Sequence, residues 1–281
     1  MLKKRIITAL VGITIIVPII WFGEPWFTIM LVVCGALGTF EFYRLVNTAK
    51  VPHLTYFGIV WKMLLIISRN SALLSFVNSY FDTTLLIPLI ITSAIILPLI
   101  WLVLRPRKSE SFASWVWTIA GIIYVGWLLG YFVSIRGIDS ENSEVGRNWV
   151  FFTLFTTFAS DTTAFFIGRA FGKRHLAPLI SPGKTWEGAI AGVVGAIILS
   201  LLFTLPTPLK INLNWAQAIA LGSVVSVMGQ LGDLAKSLFK RNMGAKDSSQ
   251  LMPGHGGFLD RLDSVVFAGV VVYYYLIWVM R

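Results

Sequence analysis

The chain has 281 residues, 56% of them hydrophobic and 13% charged, with a net charge of +10. A soluble domain would carry about twice that charged fraction, so the composition excludes a water-soluble globular protein and points to helices in lipid. In that setting the excess of Lys and Arg suits an anionic membrane leaflet or an anionic substrate, not nucleic acid. The single cysteine, Cys34, excludes a disulfide framework and a cysteine metal site.

The opening "MLKKRIITALVGITIIVPIIWF" begins like a signal peptide. Its apolar run is too long for that role and has no clear small-residue cleavage site, so it reads as a retained first helix. Further apolar runs predict helices at roughly 6–22, 26–46, 55–79, 84–104, 112–135, 148–171, 188–206, 214–239 and 264–280. Lys62, Arg69 and Asn70 interrupt the third, which reads as a full span or as a broken or interfacial segment. With the N-terminus cytoplasmic, the inner connections hold 17 of the 23 Lys and Arg, the outer ones four and the third helix two. Omitting the third helix would invert every later loop. The expected fold is therefore all-α, a polytopic bundle of about nine transmembrane helices with the N-terminus cytoplasmic. Residues 1–135 supply five helices, lipid-facing or dimerising. Residues 136–281 supply the catalytic helices and cytoplasmic loops, in one continuous bundle.

The long connections 172–187 and 240–263 fall on the same, inner face and hold most of the polar chemistry. Before the first, Asp161 sits inside an apolar helix, where a carboxylate at mid-membrane costs roughly 2.5–3.5 kcal/mol. It needs a cation, a metal, water or a structural ion pair. In "SPGKTWEG" (181–188), Pro182 and Gly183 predict a turn, Thr185 an N-cap, and Glu187 an acid in the first turn. "PGKT" is part of a phosphate-binding loop, but the full glycine spacing and a preceding strand are missing. What remains is Lys184 and free N–H groups at a helix start, a place for an anion.

Asp233, Lys236, Ser237 and Lys240 form one helical stripe near the inner end of the eighth helix. Snorkelling to the interface accounts for Lys240 and Arg241; it does not account for Asp233 or Gln230. The stretch "KDSSQLMPGHGGFLDRLDS" (246–264) adds Lys246, Asp247, His255, Asp260, Arg261 and Asp263. Gly254, Gly256 and Gly257 in it allow close backbone approach to a ligand. Asp263 alone also reads as the cap of the ninth helix. Oxygen donors without cysteine favour a hard cation such as Mg²⁺ over zinc. Carboxylates for a metal beside cations for phosphate are what phosphoryl or nucleotidyl transfer requires. An ion-coupled transporter using Asp161 and Asp233 as relay sites is the reading from a different class. The acids cluster at one face, however, and no inverted repeat is visible.

Residues 237–263, "SLFKRNMGAKDSSQLMPGHGGFLDRLD", closely resemble the signature of the phosphatidate cytidylyltransferase (CDP-diacylglycerol synthase) family. Ser237, Lys240, Arg241, Lys246, Asp247, His255, Gly256, Gly257, Asp260, Arg261 and Asp263 match it, eleven fixed positions in 27 residues. The region "SDTTAFFIGRAFGK…SPGKTWEG" is similar to the family as well. The resemblance implies condensation of CTP with phosphatidate to CDP-diacylglycerol and pyrophosphate, in a multi-pass protein of the inner membrane. It also implies a homodimer and a site at the cytoplasmic face among anionic lipids. Asp233 and Asp260 are then expected to hold Mg²⁺, with Asp263 and Asp161 as further ligands and a second cation position of unknown identity. Lys240, Arg241, Lys246 and Arg261 would neutralise the triphosphate, and Ser181 and Lys184 would close the site from the other loop. His255 either bonds a phosphate oxygen or fixes its loop. A CTP-dependent polyprenol kinase or a CDP-archaeol-type synthase is the nearer alternative.

Overall fold

A chain in lipid must satisfy its backbone hydrogen bonds internally, which leaves helices as the economical solution for apolar runs. The computed structural model describes residues 2–78, 82–105, 111–138, 143–245 and 257–280. Its helices are α1 (Leu2–Phe22), α2 (Trp26–Thr48), α3 (Thr55–Ile67), α4 (Ser71–Asn78), α5 (Leu86–Leu104), α6 (Ser111–Gly121), α7 (Leu128–Arg136), α8 (Ser143–Phe171), α9 (Trp186–Leu202), α10 (Trp215–Asn242) and α11 (Leu259–Val279). A π-helical turn, Ile122–Trp127, joins α6 to α7. The only strands among the described residues are β1 (His175–Ala177) and β2 (Ser181–Thr185), an antiparallel hairpin.

Among the described residues, six helical stretches are long and apolar enough to cross a membrane: Trp26–Thr48, Thr83–Leu104, Phe112–Arg136, Glu144–Phe171, Trp215–Asn242 and Leu259–Val279. Counting α3 and α4 as one broken span gives seven, and Leu10–Phe22 and α9 are shorter apolar helices. The chain is an all-α polytopic membrane protein. The predicted helix 55–79 is not continuous, because α3 and α4 are bent by 83°. Its polar residues cause the break. Asn70 caps α4 by accepting from the Leu73 N–H at 2.9 Å, and its amide donates to Glu24 (2.8 Å) and Thr28 (3.0 Å). Arg69 lies over the rings of Trp127 and Tyr131, 4.2 and 4.3 Å from their centres. Such cation–π contacts keep a guanidinium buried at modest cost.

The chain divides into two compact units, 1–137 with 242–260, and 138–241 with 261–281. In the first, Tyr43 of α2 is the pivot. Its hydroxyl donates to the Thr118 carbonyl at 2.8 Å, its ring stacks on His53, and Gly121 of α6 packs against it with no room for a Cβ. A second layer is formed by Leu65, Ile90, Ala94 and Ile122.

In the second unit α8 and α9 pack closely because small residues line their contact. A Cβ on Gly192 would stand 3.1 Å from the Ser160 carbonyl and 3.0 Å from the Gln230 amide. Ser200 donates to Ala218 across α9 and α10 at 2.7 Å. Gly232 lets α10 lie against α11, at Phe267 and the Asp263 carbonyl. These close approaches set the spacing of the helices that carry the polar residues.

Candidate active site

The hairpin between α8 and α9 corrects one expectation. Pro182 and Gly183 do not form its turn; they lie in β2. The pairs His175–Thr185 and Ala177–Ser181 leave one residue on β1 opposite three on β2, so Pro182, Gly183 and Lys184 form a bulge. Proline lacks the N–H a regular ladder needs, and a bulge on an edge strand accommodates that. The bulge projects Lys184 off the ladder. Thr185 caps α9 as expected, accepting from the Gly188 N–H at 3.2 Å. Glu187 accepts from the N–H groups of Lys173 (3.1 Å) and Arg174 (3.3 Å), tying the end of α8 to the start of α9.

Lys184 reaches Asp233 of α10 at 2.7 Å. One turn on, Lys236 pairs with Asp233 at 3.2 Å and also with Asp263 of α11. Lys236 and Asp263 are both buried, Asp233 and Lys184 partly so. Asp161 of α8, itself exposed, lies within electrostatic reach of Asp233, Lys184 and Lys236 and of the Ser264 hydroxyl. Four elements of the second unit therefore gather three carboxylates and two ammonium groups. Beneath them runs a polar seam: Ser160 meets Ser226 at 2.6 Å, and the Gln230 amide donates to Ser226 and to the Ala189 carbonyl, both at 3.0 Å.

The remaining expected residues are distributed as follows. Ser181 opens β2, and Ser237, Lys240 and Arg241 follow Lys236 along the last turns of α10. Arg241 donates to the Ile180 carbonyl at 3.3 Å, which fastens α10 to the hairpin turn. Asp260 stands in the first turn of α11 and accepts from the Gly257 N–H at 3.2 Å, and Arg261 follows it, exposed. Lys246, Asp247, His255 and Gly256 lie outside the described residues. Asp263 is not the cap of the last helix. That helix begins at Leu259, five residues before the predicted start, so Asp263 sits inside it. Sequence reasoning missed Ser160, Ser226 and Ser264. Ser226 shares one stripe with Gln230 and Asp233, at i, i+4 and i+7, a signal that polar periodicity in an apolar helix could have supplied.

Among the described residues no group of three or more His, Cys, Asp or Glu side chains is placed to hold a metal ion. Lys236 instead stands between Asp233 and Asp263. The carboxylates of the cluster are oxygen donors, the kind a hard divalent cation takes.

Comparison with known proteins gives a single direction. Residues 3–279 match the cytidylyltransferase family. A phosphatidate cytidylyltransferase of Bacillus subtilis is 31% identical over 277 residues, covering 98% of this chain and 97% of its own. A phosphatidate cytidylyltransferase of Brucella abortus is 33% identical over 279 residues, covering 97% and 92%. The chloroplastic phosphatidate cytidylyltransferase 4 of Arabidopsis thaliana is 33% identical over 304 residues, covering 98% and 73%. A match that runs almost from end to end, joined to a membrane bundle with a carboxylate–ammonium cluster, leaves one conclusion: the chain belongs to the cytidylyltransferase family.

Proposed function

We propose that this protein transfers the cytidylyl group of CTP to phosphatidate, giving CDP-diacylglycerol and pyrophosphate. The observation that carries the reading is the cluster of Asp161, Asp233, Lys236 and Asp263, on helices long and apolar enough to span a membrane, with Lys184 of the hairpin. The names of the full-length relatives supply the substrates. The nine-span arrangement with a cytoplasmic N-terminus and a site at the cytoplasmic face of the inner membrane is part of the same proposal. It is supported by the bias of Lys and Arg toward alternate connections. A homodimer is a further part of it.

Phosphatidate is a phosphate monoester whose second pKa is about 6, so it arrives largely as a dianion. One of its oxygens bonds to the α-phosphorus of CTP while the bond from that phosphorus to the pyrophosphate oxygen breaks. The nucleophile carries no proton to remove, so the protein's work is orientation and charge neutralisation. Lys240, Arg241, Lys246 and Arg261 would neutralise the triphosphate and the departing pyrophosphate, with Lys184 closing the site from the hairpin. Ser181, Ser237, Asp247 and the backbone at Gly256 and Gly257 orient the substrates, and His255 holds a phosphate oxygen or its own loop. Asp233 and Asp260 would hold Mg²⁺, with Asp263 and Asp161 as further ligands at one or two positions. When bound, Mg²⁺ supplies electrostatic stabilisation of phosphate oxygens.

The test is incubation of purified protein with labelled CTP, phosphatidate and Mg²⁺, beside controls with dATP, a polyprenol and an ether-lipid phosphate. Labelled CDP-diacylglycerol is the expected product, and label on the polyprenol alone overturns the proposal. Asp233→Asn should lower turnover at least about 100-fold while leaving the protein folded and inserted. Mg²⁺-dependent synthesis at the wild-type rate by that variant refutes the role given to Asp233.

A further inference from the structure

Glu41 lies in the last third of α2, within a stretch apolar enough to span a membrane, and is completely buried. An acid there is expensive unless its charge is met. Its two oxygens accept from the backbone N–H groups of Phe258 (2.8 Å) and Leu259 (2.6 Å), residues 217 and 218 positions away in sequence. Those donors belong to the start of α11, where a helix leaves its first N–H groups without partners of its own. Such groups are ordinarily capped by a side chain a few residues away. Here the cap comes from more than two hundred residues away, and it is a carboxyl group, whose two oxygens meet the N–H groups at the positive end of the helix dipole.

The same helix holds a second point. Thr48, two turns beyond Glu41 on the same side of α2, places its hydroxyl 3.2 Å from the Met243 carbonyl, just past the end of α10. The hydroxyl is shared with the Leu45 carbonyl at 2.6 Å. One side of α2 thus touches the chain where α10 ends and where α11 begins. Asp260 and Asp263 are the second and fifth residues of α11. Any shift or rotation of that first turn moves the Asp260 carboxylate.

We propose that Glu41 is a positioning residue of the transfer reaction. By capping α11 it fixes the axial position and rotation of the turn that bears Asp260. The inference rests on the function proposed above for its catalytic consequence, but its structural part stands alone. Glu41→Gln keeps the shape and one good acceptor, and Glu41→Ala removes both. The expected order of kcat is wild type, then Gln, then Ala, with Ala reduced roughly 10–100-fold, the range seen when an outer support of a metal ligand is lost. KM for CTP should change little, and the Mg²⁺ concentration giving half-maximal rate should rise.

Hydrogen exchange provides a readout independent of activity. Peptides covering residues 257–263 should exchange faster in Glu41→Gln and Glu41→Ala than in wild type, while those in α8 and α9 are unchanged. Wild-type exchange at 257–263 in both variants overturns the inference, whatever the activity. So does a loss of activity that only tracks loss of folded protein, with kcat and Mg²⁺ response per folded molecule unaltered. An inactive wild type would instead count against the proposed function, and the exchange data would still decide the capping role.

Discussion

Lys236 is buried in a stretch that otherwise reads as the snorkelling end of a helix, because two carboxylates converge on it. A buried pair gives little net stability, but removing one member leaves the other charged and unmatched. Lys236→Met should therefore destabilise the protein by about 3–5 kcal/mol, read as a lower unfolding midpoint in detergent. Adding Asp263→Leu to it should restore much of that stability while leaving the enzyme inactive. A double variant as unstable as the single one would show that the pair is not the relevant unit. Asp161 and Asp233 were legible in the sequence, since an acid among apolar residues is conspicuous. The position of Asp263 was not. "GFLDRLDS" looks like a loop because its helix is capped from Glu41, which no local pattern contains.

At the scale of elements, apolar length placed nearly every helix, and the departures have local causes. Asn70 and Arg69 find partners by breaking the third helix at 68–70. Pro182 and Gly183 mark a bulge where a turn was expected, since both residue types serve either purpose. Helix contacts were less legible, because glycine spacing shows that a close approach is possible without naming the partner. Gly232 illustrates this. Its missing Cβ makes room for the Asp263 carbonyl and Phe267. Gly232→Ala should force α10 away from α11 at a cost of about 1–3 kcal/mol and loosen the Lys236–Asp263 pair. Turnover should fall more than the unfolding midpoint does, and an alanine variant with full turnover would contradict the tight-contact reading.

For the molecule as a whole, composition alone gave a membrane bundle, and the charge bias orders its connections. The proposed topology sets 172–185 and 203–214 on opposite sides of the membrane. In a Cys34→Ser background, a cysteine at Thr207 should react with an impermeant thiol reagent applied outside intact cells. One at Lys173 should react only after permeabilisation. Equal labelling of both from outside would invert or abolish the scheme. What composition could not show is that the chain folds as two units whose boundaries ignore sequence order, residues 242–260 belonging with the first 137.

That interleaving has a consequence for biogenesis. Glu41 leaves the ribosome more than two hundred residues ahead of the amides it will hold, and its carboxylate must wait, inserted or half-inserted, until they have been made. The turn it anchors is the one that begins α11. A chain that stalls or is clipped before α11 lacks this anchorage, so the first unit can close only once residues 258 and 259 have been made.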